Sequence, residues 1–581
     1  MFAFLSIATN RGRRFFLTLM TALAFHSNAG AQVPLPPAGD SGVIQKSLEK
    51  ARPERVRPPA VLPQIEIQDS RTLTDPGAGP AFFVKSVLVQ GNTLVKYEEL
   101  ADIVALGGGE ELTLGLLDLM AQEITALYFR KGYILARTLV PAQTIRDGVV
   151  LFQVVEGRLG EVQVTGNLPE EHADKIKRRF APLVGRPNLM ERDLEGPILE
   201  LNDLIGYEIS SVLRPGKKDG TSDLVLEVKK TRPWEFSIDA DNFGSEFTGR
   251  NRVGATGITG NLLRFGDTFR LRALRSGLGQ NFVNPNYTVP LNESGTTLGL
   301  SYIYSDHQLG GALTALNAGG NSHMATADML HTLFRSRMAH FYAGAGLDFR
   351  FFKNFLQNQT STDDVLFNAH LFAGGNIRDP LMGQTFLQGR LQFGYTETDQ
   401  GDPLNSRLQG QGDAVVATFS LTRYQSAYFG GSYFIMKFNG QVTDKRVLSP
   451  DQFVLGGIGT VRGYPLADAS GDHGYQTTLE YVLPLPIDFP VTTNPRYTFP
   501  DLFSLFGFID HGRIFIEEPQ PAERNVSLTS VGGGVRLSVP KGKGHLPGAD
   551  FSLTYAIPVL GDRKPSDGSL GMVHVAGRLF F

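Results

Sequence analysis

Apolar and polar residues alternate along the whole carboxyl-terminal part of the chain. From Pro233 onward, Phe236, Ile238 and Ala240 are each followed by a polar residue, and similar segments recur between Gly/Asn/Asp/Ser-rich stretches. Strands of about ten residues with one apolar and one polar face are typical of a transmembrane β-barrel. At roughly 22 residues per strand and connection, residues 232–581 are predicted to form about sixteen antiparallel strands.

A secreted β-sandwich or adhesin would show a similar alternation. Two observations favour the membrane barrel. The alternation is confined to the region after Pro233, and the last strand ends on the aromatic residue Phe581. Trp234, just before the first strand, suits the aromatic belt at a membrane surface. We predict that Phe581 serves barrel assembly, because a terminal aromatic residue is where an insertion machine would recognise the last strand.

A helical period replaces the alternation in the middle of the chain. Residues 80–157 contain an apolar helical pattern over Leu112–Phe129, with strand-like segments over Phe82–Val89, Ile134–Val140 and Val149–Val155. The order is strand, helix, then two strands. A basic residue and a glycine close the helical pattern, as expected of a helix carboxyl terminus.

The same order returns over residues 158–231, where Gly166-Asn167 follows the first strand as Gly91-Asn92 does in residues 80–157. Its predicted elements are strands Leu159–Val164, Ile209–Leu213 and Leu224–Val228 and helices Glu170–Phe180 and Met190–Leu204. Two successive β-α-α-β-β units therefore form a tandem repeat. A single α+β domain is the less economical alternative, because the Gly-Asn pair recurs in register.

The amino terminus has the features of a secretory signal peptide. Three arginines precede the apolar run Phe15–Phe25, and the small residues Ala29–Ala31 suit cleavage before Gln32. Residues 1–31 are therefore predicted to be removed. Residues 32–79 are rich in proline and are predicted to be an extended linker. A short amphipathic helix over about residues 40–52 interrupts this linker. Because such a helix is marginal alone in water, we predict that it docks inside the barrel as a plug.

The composition agrees with export to an envelope. The 581 residues include 66 glycines, 40 phenylalanines and no cysteine, so disulfides have no part in folding. The net charge of −3 becomes more negative when the arginines of the leader are removed, which gives no reason to expect nucleic acid. No run of eighteen apolar residues is present, which excludes a helical membrane protein.

No catalytic or cofactor motif stands out. The chain lacks H-E-x-x-H, a phosphate-binding P-loop and a G-x-S-x-G elbow, and the glycine run Gly456–Gly459 lacks the dinucleotide register. His511 follows Asp510 directly, but adjacent residues of a strand point to opposite faces. We therefore predict neither an enzyme nor a cofactor or metal.

One tetrad, Val461-Arg462-Gly463-Tyr464, does stand out, and a glycine-rich approach precedes it. It resembles the sixth-extracellular-loop motif of the superfamily that joins POTRA domains to a sixteen-stranded, polypeptide-transporting barrel. The segment from Phe506 through Phe508 and Asp510 to Gly512 resembles a strand motif of that superfamily. The strand carrying Glu480 resembles the strand that follows the loop.

The resemblance narrows to one branch because only two β-α-α-β-β units, which correspond to POTRA domains, precede the barrel. A proline-rich linker with a short helix is similar to that of the two-partner secretion transporters, or hemolysin secretion/activation proteins. This resemblance implies a Gram-negative outer-membrane barrel with POTRA domains in the periplasm. It also implies a large secreted exoprotein partner, and contacts with the barrel assembly machinery, periplasmic chaperones and lipid.

Strand parity gives an independent view of the motif residues. An aspartate facing lipid would be costly, so the face of Asp510, Phe506 and Phe508 is predicted to line the lumen. Glu480 faces the lumen by the same argument. Arg462 is predicted to reach from its loop into the lumen and to pair with Asp510, controlling whether the path is open.

The predicted function is the secretion of an unfolded exoprotein through the barrel without nucleotide. The POTRA domains would bind it by β-augmentation at an exposed sheet edge, either Ile134–Val140 or Ile209–Leu213. An insertase for other barrel proteins is the main alternative. A diffusion porin is a third, although a porin would lack the repeat.

Overall fold

The computed structural model describes residues 37–50, 65–67, 75–77, 79–399, 401–485, 503–521, 523–541 and 547–581. The predicted signal peptide lies outside the described residues, as does part of the predicted linker. No helix within these ranges is long and apolar enough to cross a membrane.

Two short elements of the proline-rich segment are described, helix α1 (Ser41–Lys50) and strand β1 (Ile65–Ile67). Asp40 caps α1, because its Oδ1 accepts the backbone N–H groups of Gly42 and Val43 at 2.9 and 3.2 Å. The apolar stripe of α1 is buried against the inner barrel wall. The helix therefore occupies the lumen.

The first repeat unit contains two helices and five strands. They are β2 (Phe82–Val84), β3 (Ser86–Gln90), α2 (Tyr97–Ala105), β4 (Glu110–Leu112), α3 (Leu114–Arg130), β5 (Arg137–Leu139) and β6 (Val149–Val155). Strands β3, β6 and β5 form one sheet in that order, and β2 pairs with β4. The apolar side of the helices covers the sheet in a core of its own.

Two sequence predictions for this unit were wrong in detail, and one helix was missed. The strand over Phe82–Val89 breaks at Lys85, where Gly148 O accepts N–H groups from Lys85 and Ser86. The strand over Ile134–Val140 shrinks to Arg137–Leu139, because Ile134 and its next two residues are all buried and no alternation exists there. Helix α2 was not located at all, since nine residues give a weak period.

The second unit follows the prediction more closely. Its elements are β7 (Arg158–Gly166), α4 (Glu170–Phe180), α5 (Glu191–Asn202), β8 (Tyr207–Pro215) and β9 (Thr221–Lys230). The sheet order is β1-β8-β9-β7. The edge Ile209–Leu213 was predicted to be free, but β1 of the linker pairs with it in parallel, Ile65 opposite Ser211 and Ile67 opposite Leu213. The boundaries between the predicted domains stay predictions.

Sixteen antiparallel strands close into a barrel, as the alternation predicted. The wall strands are β10 (Trp234–Asp241), β11 (Arg252–Gly260), β12 (Thr268–Ser276), β13 (Asn281–Pro290), β14 (Thr296–Gln308), β15 (Ala318–Arg335), β16 (Ala339–Leu356), β17 (Gln359–Arg378), β18 (Gly383–Gly394), β19 (Val415–Ser426), β20 (Tyr433–Thr443), β23 (His473–Pro484), β24 (Phe503–Phe515), β25 (Val526–Val539), β26 (Gly548–Gly561) and β27 (Met572–Phe580). Strands β21 (Phe453–Leu455) and β22 (Ala469–Gly471) form a separate hairpin.

The two ends of the barrel follow from the connections. Strand β10 begins directly after the second unit, so the barrel end at Trp234 is the end that faces the second unit, which we call the inner end. The β18–β19, β20–β23 and β24–β25 connections then lie at the outer end. Successive residues of β24 point to opposite sides of the wall, as predicted, because Asp510 is fully buried whereas its neighbour Ile509 is 45% exposed. The side of β24 that carries Asp510 is the lumen side.

The second unit docks on the inner rim of the barrel. His172 of α4 packs on Phe265 of the β11–β12 turn, with ring centroids 4.7 Å apart. Arg337 of the β15–β16 turn lies 3.2 Å from Glu195 of α5. Burial raises the pKa of the Glu195 carboxyl even with this arginine beside it. Apolar and ionic contacts therefore both connect the unit to the barrel.

The last residue of the chain joins the first wall strand. Phe581 donates its N–H to Phe236 O at 2.8 Å, and the two rings lie 6.0 Å apart. We expect Phe581→Ser to lower the amount of protein in the outer membrane, measured by immunoblot of membrane fractions, because a serine removes the terminal aromatic. Phe551→Ser, at a lipid-facing position of β26, is the control. Normal abundance of the Phe581 variant with defective secretion would contradict this role.

Candidate functional site: a loop held in the barrel lumen

The connection between β20 and β23 folds back into the barrel. Its β21–β22 hairpin carries a tip, residues 456–468, whose side chains are mostly buried. At Gly456 the backbone has φ +104°, and a Cβ would lie 2.2 Å from Pro465 O. Only glycine fits this turn, which bends the tip inward toward β24.

Arg462 at the tip binds two carboxylates of the wall. Its Nε and one terminal nitrogen donate to the two oxygens of Asp510, both at 2.8 Å. The other terminal nitrogen donates to Glu480 at 2.7 Å. The backbone N–H of Arg462 also donates to Asp510, at 3.1 Å. A planar guanidinium matches such a two-sided carboxylate site better than an ammonium does.

Aromatic rings cover the guanidinium on the lumen side of β24. Cζ of Arg462 lies 3.3 Å from the Phe508 ring centroid. Room for this ring comes from the neighbouring strand, because a Cβ at Gly532 would lie 2.6 Å from Phe508. The pair Phe506 and Gly534 repeats the arrangement, with a Cβ at Gly534 2.7 Å from the ring. The glycines of β25 therefore shape the seat of the arginine.

A second arginine extends this arrangement, and sequence reasoning missed it. Arg536 lies 2.7 Å from the other oxygen of Glu480, and its Cζ lies 3.8 Å from the Phe506 ring centroid. Asp510, Arg462, Glu480 and Arg536 thus alternate in charge; we call them the charge ladder. The parity argument that placed Asp510 in the lumen would also have placed Arg536 there, on the face of Gly532 and Gly534.

The remaining motif residues fit the tip against the wall. Val461 and Tyr464 are buried, with 0% and 1% exposure, in a cluster with apolar residues of β21, β24 and β25. At Gly463 a Cβ would come within 2.6 Å of Ser530, and at Gly512 within 2.7 Å of Leu455. Arg462 O accepts a hydrogen bond at 2.8 Å from His574 on the last strand. The ladder is thus the charged centre of a close-packed contact.

Helix α1 contacts the root of the same loop. A Cβ at Gly42 would lie 2.5 Å from Pro450, and Lys46 donates to the carbonyl of Gln452 at 2.6 Å. On its other side, Asn354 of the wall donates to Asp40 and accepts from the backbone of Ser41. Helix α1 and the loop therefore contact each other inside the barrel.

A model of the family described as "Haemolysin secretion/activation protein ShlB/FhaC/HecB" matches residues 220–537, which is more than half of the chain. The chain belongs to this family. A model of the ShlB-type POTRA domain also matches, over residues 82–157. The family confirms the resemblance that the tetrad and the repeat indicated, a two-partner secretion transporter of the outer membrane.

Individual relatives agree with the family assignment. The heme/hemopexin transporter protein HuxB of Haemophilus influenzae is 25% identical over 517 residues, with 86% of this chain and 88% of HuxB covered. The outer membrane transporter CdiB of Escherichia coli is 25% identical and covers 79% of each chain. The solved structure of CdiB from Escherichia coli superposes with a TM-score of 0.65 at 20% identity, covering 93% of this chain and 96% of CdiB.

The family establishes the coarse function. Its members are transporters that move an exoprotein partner across the outer membrane, and their POTRA domains lie in the periplasm. Within the described ranges, no group of three or more His, Asp or Glu side chains is placed to hold a metal ion.

We expect removal of residues 32–79 to raise the single-channel conductance of the purified transporter, because α1 occupies the lumen. Gly42→Leu tests the same contact within the full chain, since its side chain would collide with Pro450. It should make openings more frequent. Gly257→Leu is the control, because an added Cβ at this wall position meets nothing within 4 Å and, as at Gly42, the backbone is not left-handed. Unchanged conductance after the deletion would show that α1 is not a plug.

Proposed function

We propose that the chain captures an unfolded exoprotein at a sheet edge of its POTRA domains and passes it through the barrel. The plug helix and the Arg462 loop leave the path during passage. The observation that carries this proposal is the charge ladder, whose Arg462, Glu480 and Asp510 are buried, because a permanent wall would not need a loop held by four alternating charges. Folding of the exoprotein outside the cell drives the motion, and no nucleotide takes part.

The second POTRA domain offers the better edge. The outer side of β8 is covered within the chain at Ile209 and Ser211–Leu213, since β1 pairs with Ser211–Leu213 and the side chain of Asn202 exchanges two 3.0 Å hydrogen bonds with Ile209. Ile65 and Ile67 pack against the domain core while Glu66 is exposed. A three-residue strand is a small, replaceable partner. An extended exoprotein segment with the same apolar alternation can take its place.

The first POTRA domain offers less. Its edge strand β5 has only three residues. Beyond it, the side chain of Gln143 accepts from Leu151 N at 2.7 Å and donates to Leu151 O at 2.9 Å, which covers the next position of β6. We therefore assign recognition to β8 of the second domain.

Replacement of β1 has a consequence for the plug, because β1 and α1 belong to the same linker. When the exoprotein displaces β1, the tether of α1 is no longer fixed to the second domain, and α1 is free to leave the lumen. Periplasmic chaperones deliver the exoprotein unfolded, and the barrel assembly machinery inserts the transporter in outer-membrane lipid.

The test is the export of an exoprotein encoded next to this chain's gene, in cells with and without the transporter. We expect the exoprotein in the medium only when the transporter is present. The amounts of other outer-membrane barrels, measured in the same cells, should not change. A fall in those barrels with normal secretion would favour the insertase instead.

A further inference from the structure

Four charged side chains connect three outer loops outside the tetrad. Arg407 lies in the β18–β19 connection, Arg446 and Asp472 in the β20–β23 connection, and Glu523 in the β24–β25 connection. We call these four residues the outer clamp. All four residues form ion pairs, and Arg407 and Arg446 are buried, with 8% and 2% exposure.

Arg446 joins all three loops with one guanidinium. Two of its nitrogens donate to the two carboxylate oxygens of Glu523, both at 2.8 Å. Its Nε donates to the carbonyl of Leu408 at 2.9 Å. Such a bidentate pair with further carbonyl acceptors satisfies the donors of a buried arginine.

Asp472 is the second centre of the outer clamp, and its side chain is fully buried. Its two oxygens accept from Arg407 at 2.5 and 2.9 Å. They also accept backbone N–H groups from Val447 and Glu517, at 2.8 and 2.9 Å. Four donors from three loops therefore converge on one carboxylate.

The positions of these residues along the loop matter more than their number. Arg446 lies three residues after β20, and Asp472 lies directly before β23. The outer clamp thus holds both roots of the connection whose tip carries Arg462. Separation of Arg462 from Asp510 frees the tip only, while the roots stay fixed to the neighbouring loops.

We propose that the outer clamp is a second gate, which must separate before the β20–β23 loop can leave the lumen. This inference rests on the proposed function, in which that loop moves. When the loops open, the four charged side chains are exposed to water at the outer surface. Water then solvates each charge separately. While the loops are closed, Arg407, Arg446 and Asp472 are buried and each needs its partner, and Glu523 is half-buried.

Neutral substitution tests the gate in one direction. The full-length double variant Arg407→Gln, Arg446→Gln should open about tenfold more often than the wild type in planar lipid bilayers, because the roots lose both bidentate pairs. Arg250→Gln is the control, since Arg250 is an exposed outer-loop arginine that pairs with Asp567 and, among the described residues, has no hydrogen bond or ion pair to the β20–β23 loop. Equal opening frequencies in double variant and wild type would overturn the proposal.

A disulfide tests it in the other direction and does not depend on how the double variant folds. An isolated β-bridge pairs Gln411 of the β18–β19 connection with Val447 of the β20–β23 connection, and a disulfide can span two paired residues of this kind. The natural chain has no cysteine that could interfere. Oxidised Gln411→Cys, Val447→Cys should open about tenfold less often, and a reductant should restore opening. The control pair, Leu300→Cys with Ala327→Cys in the wall, should not respond.

Normal opening of the fully oxidised Gln411–Val447 pair would contradict a second gate. These recordings contain no exoprotein, so they do not depend on the secretion experiment. If secretion is lost while the variants gate as expected, the proposed function fails and this inference stands. If secretion is normal while the gating differs from the expected result, this inference fails and the proposed function stands.

Discussion

Arg462→Ala is expected to abolish or strongly reduce secretion of the exoprotein while the barrel still inserts. The substitution leaves Asp510 and Glu480 buried beside Phe508 with no partner at the loop tip. Loss of one partner of a buried pair costs on the order of 3 kcal/mol, more than the roughly 1.4 kcal/mol of a tenfold change in an equilibrium. The closed arrangement of the loop should therefore lose its defined position.

Secretion is measured as exoprotein in the medium, relative to transporter in the outer membrane. Asp510→Ala should have a similar effect, and the double variant should lose little more than either single one. Additive losses would mean that the two residues do not act together, whatever their distance. Arg513→Ala is the matched control, because Arg513 lies on β24 with Asp510 but faces outward.

A disulfide that fixes β1 on β8 is expected to stop secretion reversibly. Glu66 and Val212 are register partners on the outer face of this sheet. The oxidised Glu66→Cys, Val212→Cys variant keeps the edge occupied and the linker attached to the second domain. We expect at least about a tenfold loss of secreted exoprotein, since the exoprotein then has no edge to pair with, and full recovery with reductant.

The control disulfide joins Glu208→Cys to Lys229→Cys, which are partners of β8 and β9 within the same sheet. It should leave secretion unchanged, because those strands need not separate. If the oxidised Glu66–Val212 variant secretes normally, β8 is not the recognition edge.

Local patterns predicted the parts of this protein that depend on one period. The dyad pattern predicted the barrel, and parity alone placed Asp510 and Glu480 on the lumen face. Helix α4 begins and ends where the pattern predicted, because its polar and apolar faces are sharply separated. The nine residues of α2 were missed, since fewer than three turns give no clear period.

Long-range pairing explains what the sequence could not predict. The alternation of Ile65–Ile67 is too short to indicate a partner by itself, and its strand exists because β8 leaves an edge for it. Strand parity could have placed Arg536 on the lumen face. Its pairing with Glu480 could not be predicted, because Glu480 comes from a strand far away along the chain. The outer clamp is harder still, because its four residues come from three loops without a shared motif.

The central claim is that this chain alone moves an unfolded exoprotein across a membrane without nucleotide. The most direct measurement uses purified transporter in proteoliposomes, an unfolded amino-terminal fragment of the exoprotein encoded beside it, and added protease. We expect a protease-protected fragment without nucleotide, and none with lipid alone or with the oxidised Glu66–Val212 variant. Protection that is absent, or that appears only when nucleotide is supplied, would contradict this claim.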